Sequence, residues 1–549
     1  MKKFNRIIAV LIALSIIFSA TAFAFESDGF DYLEYPNEAI SVFSEDILNC
    51  IGKEEGYEAN KGYDGTALYF SPYWSLTVNN ESVPLYATLS YDRECDGVLS
   101  SYQYIFPKGD SFTFNVSLKF NGEIYNGICL PEKEGVAVEI MGDTLNAVIN
   151  HCGTFTFLIN NDDQRYAVTL FVKEYTNESA EIANYINTYG EDNVTIIEKG
   201  YYELDELVLD RKVTYFCKGA FIKANHIKDI NSADDEGKLL SFMYVNGGDG
   251  VVVDGLGTFD FNSLDWHERS HFTVNESKNS NFEGLIFLNP SSWTVTFYGC
   301  ENCNISDISV FGYRTNSDGI NVCGCSDMAI TDCFCRNGDD SFSVKTTNSV
   351  YPSKNIKFSN CIGWSTKARC FGITGEVYAE ISDIEFSDCA VIYRNAIWDN
   401  DRVSSLAVMN EYGGCNISNV TFRNIEIHHD SGRPIIVAIW NDAFPEDVES
   451  STISNIVFQN IDCKYSAEMS KLSAQRDITK FGAFAAKICT YLVENGYTKV
   501  EIFQLIVNWL SFFYDTDYSI GVDFSNVTVN GRAFTKSNDI VRVGNTSIG

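Results

Sequence analysis

Asn355-Ile356-Lys357-Phe358-Ser359-Asn360 returns as Asp383-Ile384-Glu385-Phe386-Ser387-Asp388, as Asn419-Val420-Thr421-Phe422-Arg423-Asn424 and as Asn455-Ile456-Val457-Phe458-Gln459-Asn460. A shortened copy, Val522-Asp523-Phe524-Ser525-Asn526, closes the series. Earlier variants are Cys303-Asn304-Ile305-Ser306-Asp307 and Met328-Ala329-Ile330-Thr331-Asp332. The steps between Phe358, Phe386, Phe422 and Phe458 are 28, 36 and 36 residues. A short strand that recurs at uneven intervals of this size marks a solenoid whose turns carry loops of different length. Within each unit apolar residues alternate with polar ones, so one set points inward and stacks from rung to rung. Cys333, Cys361 and Cys389 join that inward ladder. A β-propeller repeats at similar lengths, but its blades need four strands joined by hairpins, and these units show neither. The fold expected is therefore all-β: a right-handed parallel β-helix.

Working outward, residues 25–177 read as short strands between polar turns. Ser75-Leu76-Thr77-Val78, Phe112-Thr113-Phe114-Asn115-Val116 and Ala167-Val168-Thr169-Leu170-Phe171-Val172 are the strand runs, and Asn79-Asn80 and Asn160-Asn161-Asp162-Asp163 the turns. This pattern predicts an N-terminal β-sandwich. An amphipathic helix over Ser179–Tyr189, with Ile182, Tyr185 and Ile186 on one side, should cover the open end of the solenoid that fills residues 178–549. Between Phe458 and Phe524 lie 66 residues, about thirty more than a rung needs. Ile478, Phe481, Phe484, Ala485, Ile488 and Leu492 fall at helical spacing, Gly496 fits a C-cap, and Val500, Phe503, Val507, Leu510 and Phe513 form a second set. A helical hairpin inserted at about 466–517 and packed on the barrel is expected.

Lys2, Lys3 and Arg6, the apolar run Ile7–Phe18 and Ala22-Phe23-Ala24 make residues 1–24 a secretory leader, the run being shorter than a bilayer span. The mature chain is then secreted and extracellular. Its removal shifts the formal charge from −34 to −37, because three positive and no negative side chains leave with it. Such a surface disfavours nucleic acid and anionic membrane, and a strongly anionic polymer unless a local basic pocket compensates. A monomer is expected. Seventeen cysteines in a secreted chain suggest disulfides, but the number is odd and several recur at equivalent rung positions, which stacked core thiols explain as well. A zinc site built from Cys300, Cys303, Cys323, Cys325, Cys333 and Cys335 lacks the usual paired spacing. Neither metal nor cofactor is expected.

The chemistry gathers where three segments align: Asp318-Gly319-Ile320-Asn321-Val322, Asp340-Ser341-Phe342-Ser343-Val344 and Arg369-Cys370-Phe371-Gly372-Ile373. Asp318 and Asp340 are one rung apart and should stack about 4.8 Å from each other, with Asp339 alongside. Three crowded carboxylates repel, so at least one pKa should rise. A protonated carboxyl that donates to a leaving oxygen, beside ionised ones that activate water, is what glycoside hydrolysis requires. An Asp/Asn ladder or a calcium site on the solenoid surface is the plainer alternative.

Asn316-Ser317-Asp318-Gly319 and Asn337-Gly338-Asp339-Asp340 resemble the two carboxylate motifs of glycoside hydrolase family 28, the polygalacturonase-like enzymes. The likeness runs through Gly200-Tyr201-Tyr202, Asp254-Gly255-Leu256-Gly257-Thr258-Phe259-Asp260, Asn289-Pro290-Ser291-Ser292-Trp293 and Tyr298-Gly299-Cys300-Glu301-Asn302, over residues 180–535. It implies an inverting hydrolase of polysaccharides, with Asp339 as general acid, Asp318 and Asp340 activating water, and Asn316 shaping the site. Two departures stand out. The family's Gly-His-Gly motif reads Ala368-Arg369-Cys370 here, so that Arg369 either steadies an ionised Asp340 or binds a substrate hydroxyl. Its Arg-Ile-Lys motif, which grips the galacturonate carboxylate, falls on Leu406-Ala407-Val408 and its basic pair is missing. Lys345 either supplies local positive charge at the substrate or is a solvated surface lysine.

An N-terminal sandwich ahead of a β-helix also resembles the dextranase-type family 49, whose members act on neutral α-glucans. Other readings are a polysaccharide lyase with Arg369 as base and a non-catalytic carbohydrate-binding solenoid. Trp364, Trp398 and Tyr412, near the motif rungs, are either groove aromatics or core.

Overall fold

The computed structural model describes residues 29–48, 51, 62–92, 96–109, 111–227, 240–347, 350–395, 402–443, 450–474, 490–493, 495–505, 517–535 and 538–549. The leader, Trp398, the hairpin residues 478–488 and Val507, Leu510 and Phe513 lie outside the described residues.

Two sheets fill residues 30–172. One carries Asp96–Pro107 beside Val168–Val172 at its centre; the other runs Glu81–Val83, Trp74–Val78, Phe114–Phe120, Thr144–Ile149 and Val138–Met141. Phe114, Val116, Leu118 and Phe120 point inward along one strand and meet Phe155, Phe157, Val168 and Leu170 of the facing sheet. The polar turns do what their residues predict: Asn79 and Asn80 take φ of 50° and 66°, and Asn160, Asn161 and Asp162 also adopt the left-handed conformation of tight hairpins.

From Val194 onward the chain winds as a right-handed parallel β-helix. Each rung contributes strands to a 21-stranded and an 11-stranded ladder, and rung pairs with rung in parallel register. Phe358, Phe386, Phe422, Phe458 and Phe524 stack with ring centroids 4.8, 4.9, 4.9 and 5.3 Å apart. Cys333, Cys361 and Cys389 are buried thiols in the same core, and no disulfide joins the described cysteines. The six thiols considered for zinc do not converge on a metal-sized group among the described residues.

The polar ends of the repeated unit make the corners of the solenoid. Asn355, Asn360, Asp383, Asp388, Asn419, Asn424, Asn455 and Asn460 all have φ between 52° and 59°, a conformation that Asn and Asp tolerate better than other residues with a Cβ. Their amides bond from one rung to the next, as in Asn424 Nδ2 to Asp388 Oδ1 at 2.9 Å and Asn460 Nδ2 to Asn424 Oδ1 at 2.9 Å.

Helix α1 (Glu178–Tyr189) starts at Asn177, whose side chain accepts from the Ala180 amide, and packs on Val194–Ile197 and Val213–Phe216 at the end of the solenoid. Ile182, Tyr185 and Ile186 are half-buried there. The sandwich covers one flank of the solenoid, where Phe221, Ile286, Leu288, Phe311, Phe334, Ile362 and Trp364 point outward and are buried against Tyr102, Tyr104 and Phe171. That docking explains why outward positions of these rungs are apolar.

The insertion differs from expectation in two ways. Ser470–Ala474 is a solenoid strand, paired in parallel with Ile435–Ala443 and Ile540–Gly544, so the inserted segment begins after 474 and not at 466. Residues 490–493 and 499–505 are helical around Gly496 (φ 85°), but Val500 and Phe503 are exposed and Ile502 is buried. Apolar residues occur on more than one side of this segment, and spacing alone does not say which side meets the barrel.

Candidate active site

Three consecutive rungs carry the site on β1 (Ile320–Cys323), β2 (Phe342–Thr346) and β3 (Phe371–Val377). Ile320 pairs with Phe342 and Phe342 with Phe371, so Asp318, Asp340 and Arg369 occupy one register position, two residues ahead of each strand. Backbone bonds from Gly319 N to Asp340 O (2.8 Å) and Ser341 N to Arg369 O (2.8 Å) extend the ladder to that column.

The turn before β1 is built to press against the rung that follows. Asn316 adopts φ 61°, the Ser317 hydroxyl bonds Arg314 O at 2.6 Å, and the Gly338 amide bonds Ser317 Oγ at 2.9 Å. A Cβ on Gly338 would lie 2.0 Å from Arg314 O, and one on Gly319 would lie 2.4 Å from Ser341 O. Only glycine allows this approach. The Asn337 amide donates to the carbonyls of Ser317 (2.8 Å), Asp339 (3.0 Å) and Asp340 (3.0 Å), tying the two aspartate segments together.

As a result the Asp318, Asp339 and Asp340 carboxylates each place an oxygen within 4.8 Å of the others. Asp339 is the least buried of the three and accepts from two backbone amides, Asp340 N at 2.9 Å and Asn316 N at 3.1 Å. Burial, reinforced by the adjacent Asp340, raises its carboxyl to about 6. Burial also drives the Asp318 carboxyl well up, against the pull of Lys345 and with the help of Asp339 and Asp340.

Lys345 is not a solvated surface residue. Its Nζ lies 3.0 Å from Asp318 Oδ2, 3.8 Å from Asp340 Oδ2 and 3.6 Å from Glu376 Oε2, over the ring of Trp293 at 4.2 Å. Burial alone would lower its pKa; Asp318, Glu376 and Asp340 outweigh this and hold it well above the usual lysine value. Arg369 places NH1 3.4 Å from Asp340 Oδ2, NH2 2.5 Å from Glu411 Oε1 and Nε 2.9 Å from the Arg402 carbonyl. Burial works against its charge, but Glu411 and Asp340 outweigh that and raise its pKa. A guanidinium held in this way is no proton-abstracting base.

Glu376, Glu411 and Lys367 were not read from the sequence. Glu376 and Glu411, like Lys345, lie where the parallel ladder slips: between Gly375 and Glu376 on β3, between Asn410 and Tyr412 on β4 (Leu406–Tyr412), and between Val344 and Thr346 on β2. Bulges re-aim side chains and gather beside active sites. Lys367 reaches Thr315 Oγ1 at 3.0 Å and faces Asp339, its pKa lowered to about 8 by burial. Leu406, Ala407 and Val408, where the missing basic pair was sought, are buried apolar residues and offer no cation to a substrate. Trp364 is core, its indole under the Arg336 guanidinium at 3.7 Å and bonded to Gln164; Tyr412 is half-buried at the end of β4.

The family model for glycosyl hydrolases family 28 matches residues 199–478, just over half of the sequence, and spans every residue of this site. The chain belongs to that family. It is 27% identical over 167 residues to a probable exopolygalacturonase C of Neosartorya fischeri, a match covering 26% of this chain and 37% of that protein. It is 22% identical over 342 residues to the alpha-L-rhamnosidase rgxB of Aspergillus niger, covering 57% and 74%. The chain thus spans little more than a third of the first relative. Among solved structures, the family 28 exopolygalacturonase of Yersinia enterocolitica aligns with a TM-score of 0.42 at 10% identity, covering 79% of this chain and 96% of that one. The matched span includes Asp318, Asp339 and Asp340.

Proposed function

We propose that the protein is a secreted, polygalacturonase-like glycosidase that hydrolyses polysaccharide glycosidic bonds with inversion. Asp339 donates the proton to the leaving oxygen, while Asp318 and Asp340 hold and activate the attacking water. The observation that carries this is the gathering of three carboxylates on successive rungs, with the most accessible of them, Asp339, raised to about 6. Asp340 has both oxygens engaged by Arg369, and Asp318 is bound to Lys345. Carboxylates tied down in this way suit the orienting of water better than direct attack on a sugar carbon. Asn316 shapes the turn that delivers the amide to Asp339, and Arg369 and Lys345 hold the water-orienting pair in place.

The lyase alternative needs Arg369 as base, and its two carboxylate partners argue against that. In the same reading residues 1–24 are a cleaved leader, 25–177 a sandwich that braces the solenoid, and 178–549 the catalytic unit. Mature protein starting at Phe25, read by mass spectrometry of the culture medium, tests the leader. Incubation with polygalacturonate, rhamnogalacturonan and dextran tests the chemistry: new reducing ends without unsaturated-uronate absorbance are expected, and reducing ends accompanied by that absorbance mean elimination.

A further inference from the structure

Five acidic side chains meet at the cleavage site: Asp318, Asp339, Asp340, Glu376 and Glu411. The three aspartates are accounted for by the proposed chemistry. The two glutamates are not, and each faces one of the two cations that flank the aspartates. Glu376 sits 3.6 Å from Lys345, and Glu411 sits 2.5 Å from Arg369. Their placement is built into the backbone. Both lie at ladder slips, and Gly375 leaves room for Glu411, whose Oε2 would be 3.3 Å from a Cβ there.

Two more basic groups lie nearby. Lys367 is turned to Thr315 and Asp339, and Arg402 lies over the Trp440 ring at 4.8 Å and near Glu411. A sugar carboxylate entering this site would meet carboxylates within a few ångströms and, in Lys345 and Arg369, cations already paired. A hydroxyl would meet the opposite situation. Glu376 pairs with Lys345 through Oε2 but keeps a side chain 26% exposed, so it offers a hydroxyl an acceptor at the rim of the site.

On this basis we infer that the cleavage site takes a neutral sugar, whose hydroxyls face Glu376 and the Lys345–Arg369 pair, and that Glu376 and Glu411 set this selectivity against uronic acids. The inference rests on the hydrolase reading above for the location of the sugar. Site groups of this kind discriminate strongly, because a mismatched ligand leaves a buried charge uncompensated.

The test compares matched polymers that differ only in charge: polygalacturonate and rhamnogalacturonan, each with its carboxyl-reduced counterpart, alongside dextran. Reducing-end release is measured with the full-length mature protein. In parallel, binding of the corresponding oligosaccharides to an Asp339→Asn variant is followed by calorimetry. The expected result is a preference of about tenfold or more for neutral over acidic forms, narrowed in the Glu376→Gln/Glu411→Gln double variant through improved binding of the acidic form. Cleavage of an acidic polymer as readily as its reduced counterpart overturns the inference and leaves the hydrolase reading standing. Preferential binding of neutral oligosaccharides without any cleavage overturns the hydrolase reading and leaves the charge selectivity standing. Equal binding of both forms, or of neither, overturns the inference.

Discussion

Lys345 Nζ and Asp318 Oδ2 meet at 3.0 Å, with side chains only 4% and 2% exposed. Asp318, Glu376 and Asp340 together hold the lysine charged, whereas Asp318 has Lys345 alone to set against its burial and the repulsion of Asp339 and Asp340.

Lys345→Met should therefore destabilise the fold by about 3–5 kcal/mol near pH 7, because it strands buried carboxylates. With Lys345 gone, Asp318 escapes the penalty by taking up a proton, so the loss should shrink as pH falls toward 4.5. Urea unfolding of both proteins at the two pH values checks this; an equal loss at both would show that the lysine charge is not what offsets the burial of these carboxylates.

The pKa of Asp339 is raised from 3.8 to about 6. If it donates the catalytic proton, kcat/KM falls on the alkaline side with a midpoint near pH 6. The same shift acts on stability. A carboxyl with a raised folded-state pKa contributes stability that is complete below pH 3.8 and is lost as pH rises through 6. Asp339→Asn removes that loss, so its stability relative to the parent should climb between pH 4 and 7, by up to roughly 3 kcal/mol. Thermal unfolding across that range measures it, and a flat difference contradicts the assignment.

The anomer released first decides the stereochemistry. A carboxylate pair in an inverting site usually stands about 6.5–9.5 Å apart, and in a retaining site about 5–5.5 Å. The three groups here bring oxygens within 4.8 Å of one another, and separation alone would favour retention. Engagement of Asp340 by Arg369 and of Asp318 by Lys345 leaves neither free to attack carbon, and the inverted anomer is predicted. Proton NMR of the first turnovers reads it directly.

Gly338→Ala should cost about 2–4 kcal/mol and most of the activity, since its Cβ would be driven into Arg314 O and push the Asn316–Asp318 turn away from Asp339. A variant with parental melting temperature and turnover would show that this contact relaxes freely.

The solenoid was legible because its signal is repetitive. Phe358, Phe386, Phe422 and Phe458 announce a column, and matching strand positions put Asp318, Asp340 and Arg369 in one register, as found. Glu376 and Glu411 were invisible for the converse reason: alternation assumes an unbroken ladder, and both lie where it slips. Lys345 was read as a charge either at the substrate or in solvent; its burial depends on carboxylates from neighbouring rungs, which its own strand does not show. Trp364 lay near the motif rungs but belongs to the face covered by the sandwich, a docking that no local pattern reveals.

Asp339→Asn tests the central claim most directly. On whichever polysaccharide the parent protein cleaves, kcat should fall by about 10²–10⁴-fold with the fold and substrate binding retained. A variant that turns over within a few-fold of the parent would remove Asp339 from the proton transfer and contradict the mechanism.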